Sequence, residues 1–156
     1  MIDVEPTARA AGVLNRYFRL LDERVFEIDR FAEVFAADGV VLRPNGTSMT
    51  GPTEIVESHR KSFARFVAAQ HPLVGHDVEA EGRGVSVRAN LVAMHLWAEN
   101  VAGVIEGPDD FFVAGAVITA SMRDEGHGLR ITPSSTPPSG RADRGFASMA
   151  ATLGKP

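Results

Sequence analysis

Four side chains that can move a proton stand where the sequence pattern calls for apolar residues. His59 lies in a helical apolar stripe, His71 opens a strand-like run, and His95 lies in the apolar run 93–97. Tyr17, the only tyrosine, interrupts the apolar stripe of the first helical segment in the same way. Histidine changes its charge near neutral pH, and polar tips among apolar side chains are typical of a ligand pocket. The pattern therefore predicts an apolar ligand pocket that contains side chains able to exchange protons near neutral pH.

Three helical segments are predicted to position these side chains. The first begins near Thr7, a residue type favoured at the N-cap, and the second covers residues 29–36. The third opens at Gly51-Pro52, because proline at the first helical position lacks only an N–H that the helix does not use. Helical spacing predicts that these segments turn inward, among others, Tyr17, Phe35, Ile55, Val56, His59, Phe63, Phe66 and Val67.

Alternating patterns in the second half of the chain predict a sheet. Strands are expected at residues 70–80, 85–100 and 111–123, followed by a short strand at 129–132. Helices that precede a run of strands indicate an α+β fold rather than an alternating α/β fold.

The strand predicted at residues 85–100 is apolar on more than one side. One face ends at His95 and Trp97 and should therefore point into the interior. The opposite face begins polar, but its far half is apolar at Val92, Met94 and Leu96. Because large exposed apolar patches usually mark an interface, this face predicts a homodimer formed sheet to sheet.

Composition narrows the class of protein. The chain has 156 residues, which suits one domain, and a net charge of −4, which gives no basic footprint for nucleic acid. It has no cysteine, which excludes disulfides, thiolate metal sites and cysteine nucleophiles. No apolar run is long enough to span a membrane, and the N-terminus lacks a signal-peptide pattern. We therefore expect a soluble cytoplasmic protein that binds neither nucleic acid nor membrane.

The end of the chain differs in composition from the rest. Residues 132–140 are rich in proline and serine, which disfavours regular structure. One short helix is predicted within residues 146–153. The predicted organisation is thus one domain over residues 7–132 and a tail over residues 133–156.

Several short motifs, in order and spacing, resemble the nuclear transport factor 2-like superfamily, which includes SnoaL-like polyketide cyclases, ketosteroid isomerase and scytalone dehydratase. They are the segments 16–22, 35–41 (F-x-x-D), 50–55 (a G-x-x-x-I helix opening), Gln70-His71 and 93–96 (A-x-H). The resemblance covers residues 7–132. It implies a cone-shaped, curved antiparallel sheet packed on about three N-terminal helices, with a deep apolar pocket.

The catalytic pattern of the superfamily carries over in part. Tyr17 stands where ketosteroid isomerases place the tyrosine that stabilises an oxyanion. Their carboxylate base corresponds to Arg43 here, and their second acidic residue would fall near Thr119 or Ala120. Arginine stays protonated and cannot serve as the base. His71 and His95 match histidines of SnoaL-like members, so they are the predicted proton carriers.

The predicted site has two groups of residues. His71, His95 and Tyr17 are expected to be catalytic, and the expected substrate contacts are His59, Trp97, Arg43, Phe63 and Phe35. Arg43 would bind an anionic ligand group, since arginine suits carboxylates. No H-x-H or H-E-x-x-H spacing occurs, so neither a metal nor another cofactor is expected. The alternative for each histidine is a structural hydrogen bond in the core, which is favoured for His59.

The leading functional hypothesis is acid–base chemistry on a small apolar molecule, such as a polyketide, terpenoid or steroid. The reaction class implied by the resemblance is a cofactor-independent cyclisation, isomerisation or dehydration. A non-catalytic ligand-binding protein and a dimerisation module of the same fold are the alternatives.

Overall fold

The computed structural model describes residues 4–43, 45–98, 111–133 and 143–144. In chain order the elements are α1 (Val4–Asp22), α2 (Ile28–Ala32), β1 (Val40–Leu42), β2 (Ser48–Thr50), α3 (Gly51–Phe63), β3 (Phe66–Gln70), β4 (Leu73–Glu81), β5 (Gly84–Trp97), β6 (Phe111–Asp124), β7 (Leu129–Ile131) and β8 (Asp143–Arg144).

The central sheet is antiparallel and built around β5. Strands β3 and β4 pair with opposite ends of β5 on one side, and β6 pairs along its other side. Strands β7 and β8 both pair with β6, while β1 and β2 form a separate hairpin. The sheet curls into a half-barrel against the three helices, which confirms the predicted α+β cone.

Helices α1 and α2 differ from their predicted bounds. Helix α1 begins at Val4 rather than near Thr7. Pro6 is compatible with this earlier start, since the N–H that it lacks would have no helical partner in the first turn. Helix α2 ends at Ala32, four residues before the predicted end at Ala36. Phe35 nevertheless points inward and is buried, as its spacing predicts.

The predicted strand 70–80 is two strands in the structure. Pro72 lies between β3 and β4, where it has no N–H to donate to a ladder. Phe66 and Val67, predicted on the third helix, lie in β3 because α3 ends at Phe63. Phe66 is buried and Val67 is exposed, as expected for neighbours on a strand.

The core lies between the inner face of the sheet and the helices. Its fully buried side chains include Leu14 of α1, Phe31 of α2, Ile55 and Val56 of α3, Val87 of β5 and Met122 of β6. The outer face of the sheet remains apolar and accessible in its far half. The exposed fractions are 40% for Val92, 37% for Met94, 42% for Leu96 and 39% for Phe111.

Of the predicted tail, the structure describes residues 133 and 143–144. The predicted helix at 146–153 lies outside the described residues, and the domain boundaries stay a prediction. Residues 143–144 form β8, a pairing with β6 that the pattern did not indicate. In the part of the chain that the structure describes, no helix combines the length and apolar character needed to cross a membrane.

Candidate functional site

A cavity of about 340 Å³ opens between the concave face of the sheet, α1, α3 and the β1–β2 hairpin. Its walls are mainly apolar, with Leu14 and Phe18 from α1, Leu91 from β5, and Ala116 and Ile118 from β6. This volume lies within the range of small-molecule sites in proteins. The interior is therefore not filled by the aromatic side chains that point toward it.

Seven of the eight predicted site residues line this cavity. They are Tyr17, Phe35, Arg43, His59, Phe63, His71 and His95. Trp97 does not line it. Its indole is buried on the neighbouring inward position of β5 and packs on Phe66, with ring centroids 4.9 Å apart.

His71 is held by a carboxylate that the sequence pattern did not single out. Nδ1 of His71 lies 2.6 Å from Oδ1 of Asp22, and the backbone N–H of His71 donates to Oδ2 at 3.2 Å. An ionised carboxylate only accepts hydrogen bonds, so Nδ1 of His71 is the protonated nitrogen of this pair. In the neutral imidazole, Nε2 then carries the lone pair.

The Asp22–His71 pair lies at the apolar wall. The side chain of His71 is 5% exposed and that of Asp22 is 28% exposed. The imidazole lines the cavity, whereas Asp22 does not. Rings of Phe18 and Phe63 pack on His71, with centroids 5.4 and 6.0 Å away. The geometry is that of a base whose orientation a second residue sets.

His95 lies beside this pair on β5. Its ring meets that of His71 edge-on at 4.8 Å and packs against Phe66 at 4.5 Å. The pKa of His95 is lowered to about 3, chiefly by burial and in addition by the charges of His71 and Arg65. His95 is therefore neutral at physiological pH.

Tyr17 and His59 form a second buried pair. The Tyr17 hydroxyl lies 2.8 Å from Nε2 of His59. Burial raises the pKa of Tyr17 well above its usual value, and burial, with the charges of Arg43 and His71, lowers the pKa of His59 to about 3. Both groups are thus neutral at physiological pH.

The tautomer of His59 decides what Tyr17 can do. If Nε2–H of His59 donates to the tyrosine oxygen, the hydroxyl proton is left for a group in the cavity. If the hydroxyl donates to Nε2, the pair serves structure only. This hydrogen bond is consistent with the structural role expected for His59. Both Tyr17 and His59 nevertheless line the cavity.

Two arginines also line the cavity. Nη2 of Arg43 donates to Oγ of Ser58 at 3.0 Å, and Nε of Arg65 donates to the backbone oxygen of Ser62 at 3.1 Å. The Arg65 guanidinium lies over the ring of Phe66, 5.5 Å from its centroid. Burial is the largest cause that lowers the pKa of each arginine. Both cations are thus held partly out of water.

The backbone around these residues explains how they meet. Arg24, just beyond α1, donates to the backbone oxygens of Phe66 at 2.6 Å and Phe63 at 3.2 Å. These bonds tie the end of α1, which carries Asp22, to the connection that leads into β3. His71 follows β3 directly. The two halves of the pair are thus anchored to the same junction.

Helix α3 is placed by its first residue. Gly51 has φ +79°, and its N–H donates to the backbone oxygen of Gly39 at 2.8 Å. A Cβ at this position would lie 2.9 Å from the backbone oxygen of Ala37. Glycine is therefore required where the chain turns into the helix that carries His59.

Asp22 and Arg65 are the functional candidates that sequence reasoning missed. Asp22 ends α1, where a carboxylate is unfavourable beside the negative end of the helix dipole. Such a local conflict is expected at functional sites, and it was the available signal. Arg65 follows the end of α3, where nothing in the spacing distinguishes it from a surface arginine.

Within the described ranges, no group of three or more histidine, aspartate or glutamate side chains is arranged to hold a metal ion. The cavity brings together the oriented imidazole of His71, the neutral imidazoles of His59 and His95, the buried hydroxyl of Tyr17 and two guanidinium groups. This set can bind an apolar molecule, exchange a proton with it and stabilise negative charge on it.

Comparisons with known proteins agree with the fold. A sequence model of the SnoaL-like domain matches residues 5–133. None of the curated proteins matches the chain. Among solved structures, the Kfla4162 protein from Kribbella flavida has a TM-score of 0.80 at 21% identity, over 95% of this chain and 99% of that chain.

Two further structures are similar at lower identity. A nuclear transport factor 2-like superfamily protein from Salmonella enterica serovar Typhimurium has a TM-score of 0.71 at 14% identity, over 89% of this chain and 93% of that chain. A hexachlorocyclohexane dehydrochlorinase of type 2 has a TM-score of 0.70 at 11% identity, over 88% and 87%. At these identities the likeness establishes the fold.

Proposed function

This chain belongs to the SnoaL-like domain family of the nuclear transport factor 2-like superfamily, and we propose that it catalyses cofactor-independent acid–base chemistry on a small, largely apolar molecule. The observation that carries the proposal is the Asp22–His71 pair at the wall of the cavity. His71 is the base and Asp22 is its positioning residue.

The proposed step begins with proton abstraction. Nε2 of His71 takes a proton from a carbon of the bound molecule, and the imidazolium that forms is stabilised by the Asp22 carboxylate on Nδ1. The electron pair left on carbon either moves a double bond or expels a leaving group from the adjacent carbon. The first outcome becomes an isomerisation when the His71 imidazolium returns its proton to another carbon. The second is an elimination such as a dehydration, in which the leaving hydroxide takes that proton and departs as water.

Two neighbours support this assignment. His95, neutral because burial lowers its pKa, adds no positive charge next to the base. Tyr17 can donate its hydroxyl proton to the cavity when Nε2–H of His59 donates to the tyrosine oxygen. It then forms a hydrogen bond to an oxygen of the bound molecule on which negative charge develops. The similar dehydrochlorinase is named for an elimination reaction, which favours the elimination class here.

Ligand binding without catalysis is the second candidate. It is favoured by the Tyr17–His59 bond, because a hydroxyl that donates to His59 has no proton left for a ligand. In that case the same cavity would bind an apolar molecule and leave it unchanged. The cyclisation of a polyketide is a more specific form of the first proposal, acid–base catalysis, and does not belong to this second candidate.

A carbon-acid probe separates the two candidates. Removal of the ring proton of 5-nitrobenzisoxazole breaks its N–O bond and releases a coloured cyanophenolate, whatever the natural substrate is. We expect saturable ring opening by the wild-type protein, reduced about 10²-fold or more in His71→Gln. The control His127→Gln changes a histidine in an exposed turn and should retain the wild-type rate.

The outcomes of this assay are distinct. Saturable binding of the probe with no ring opening above buffer would favour the binding protein. Ring opening that survives His71→Gln would reject His71 as the base.

We also propose that the protein forms a homodimer through the outer sheet face. Val92, Met94 and Leu96 on β5 and Phe111 on β6 are apolar and accessible there. Strands that pair directly place these residues in one patch, since Leu96 lies opposite Phe111. A second copy of the chain would cover the patch with an identical one.

A further inference from the structure

We propose that Arg24 is a positioning residue of the Asp22–His71 pair. Its guanidinium holds the end of α1 against the connection between α3 and β3, and so keeps the carboxylate and the imidazole in register. This inference rests on the proposed function, because it assigns a further residue to the same site. Arg24 does not line the cavity, so it acts on a bound molecule only through the pair.

The first support is the backbone conformation of Arg24. Among the non-glycine residues that the structure describes, Arg24 alone has a positive φ, of +57°. The N–H of Arg24 donates to the oxygen of Leu21 at 3.1 Å. The N–H of Val25 donates to the oxygen of Leu20 at 2.9 Å, which completes a Schellman motif at the end of α1. Glycine is the usual residue at this left-handed position, so the arginine there points to a role for its side chain.

The second support is what that side chain binds. One guanidinium nitrogen of Arg24 donates to the backbone oxygen of Phe66 at 2.6 Å, and the other terminal nitrogen donates to that of Phe63 at 3.2 Å. Phe63 ends α3 and Phe66 begins β3, so one planar group spans the connection between the two elements. The oxygen of Phe63 also lies at the negative end of the α3 dipole, where a cation is favourable.

The third support is where these bonds lie relative to the pair. Asp22 precedes Arg24 by two positions, and β3, which begins at Phe66, leads directly to His71. The ring of Phe63 packs on His71, with centroids 6.0 Å apart. One side chain therefore fixes the segments that carry both members of the pair. Without it the carboxylate and the imidazole would remain, but their separation could change, and small misplacements of a catalytic group lower rates strongly.

Two variants separate the side chain of Arg24 from its backbone conformation. Arg24→Gly adopts the left-handed conformation without steric cost and removes both bonds, so it should fold. Arg24→Lys keeps the charge but lacks the planar fork that reaches two oxygens, so its effects should be intermediate. Thermal unfolding shows whether each variant is folded.

Hydrogen exchange of single backbone amides, followed by NMR spectroscopy, gives a readout that needs no catalysis. The His71 amide donates to Asp22 at 3.2 Å, so its exchange rate reports whether the pair is intact. The reference is the Ile131 amide, which donates to the oxygen of Val34 at 2.8 Å. We expect Arg24→Gly to accelerate exchange at His71 about tenfold relative to Ile131.

Ring opening of 5-nitrobenzisoxazole gives the catalytic readout. Arg24→Gly should lower kcat about tenfold or more with little change in KM, because a misplaced base slows the reaction without weakening binding. In the Asp22→Asn background the same substitution should cause little further loss. The control is Arg60→Gln, since Arg60 is also exposed and donates to a backbone oxygen, that of Phe26, at 2.6 Å. This control should match the wild type in both readouts.

Unchanged exchange at His71 in folded Arg24→Gly would overturn the inference. Equal acceleration at His71 and Ile131 would also overturn it, because it would mean general loosening of the fold. Faster exchange at His71 with a wild-type kcat, or an undiminished loss of kcat in the Asp22→Asn background, would do the same. A wild-type protein that opens no ring would reject the proposed function, and the amide exchange would then decide alone whether Arg24 positions the pair.

Discussion

Asp22 holds His71 by two bonds, from the ring Nδ1 at 2.6 Å and from the backbone N–H at 3.2 Å. The carboxylate therefore fixes the ring and the peptide that carries it together. Because Nδ1 faces Asp22, the opposite nitrogen of the ring is the one available to a molecule in the cavity. The end of α1, rather than β3, thus sets the orientation of the proposed base.

Stability should fall as the pH is lowered from about 7 to 5. His59 and His95 have folded-state pKa values of about 3, below the ordinary value of 6.5. Between those values the unfolded chain binds more protons than the folded protein, so the free energy of unfolding decreases by on the order of 2 kcal/mol for each histidine. Urea unfolding at several pH values measures this slope.

Matched variants assign that slope. His59→Gln and His95→Gln should each flatten it, whereas His127→Gln, in an exposed turn, should leave it unchanged. A slope that persists in the double variant of His59 and His95 would show that other groups cause it.

The Tyr17–His59 bond should contribute to stability as a unit. Tyr17→Phe removes the hydroxyl and leaves the buried Nε2 of His59 without this partner, which should cost about 1–3 kcal/mol. In a double-mutant cycle with His59→Leu, the second substitution should cost less once the first is present. Additive losses in urea unfolding would mean that the two residues do not interact.

Gly51→Ala should destabilise the protein. The left-handed φ of +79° disfavours alanine by roughly 1–2 kcal/mol, and the added Cβ would meet the oxygen of Ala37 at 2.9 Å. Gly12→Ala is the matched control, because Gly12 lies within α1 with open space around it. That control should stabilise the helix by up to about 1 kcal/mol. Thermal unfolding in which Gly51→Ala is neutral would refute the constraint.

Met94→Glu should yield monomers if the outer sheet face forms the dimer. It places a charge in the accessible apolar patch, where a second copy would bury it. Ile28→Glu, at an exposed apolar position on α2, is the control and should leave the mass unchanged. Sedimentation velocity measures both. A dimer that persists in Met94→Glu would exclude this face, and a wild-type monomer would exclude the dimer itself.

The sequence pattern predicted what depends on local periodicity. Alternation along β5 placed His95 inward and Met94 outward, and helical spacing placed Tyr17 and His59 in the interior. These positions follow from side-chain direction within a single element.

What the pattern could not supply depends on distant pairing. Asp22 and His71 are 49 positions apart, and nothing in either segment specifies the other. The split between β3 and β4 at Pro72 was readable from the proline, although the apolar alternation favoured one strand. That Arg43 and Arg65 line one cavity depends on how the separate elements pack together, which local periodicity does not specify.

Whether Asp22 acts through His71 can be tested by ring-opening rates. The variants to compare are Asp22→Asn, His71→Gln and the double variant. With 5-nitrobenzisoxazole, we expect each single variant to lower kcat about 10²-fold or more with little change in KM, and the double variant to be no slower than His71→Gln. Asp77→Asn, at an exposed position on β4, is the control and should retain the wild-type kcat. Independent, multiplicative losses from the two substitutions, or a wild-type rate in His71→Gln, would contradict the proposed base.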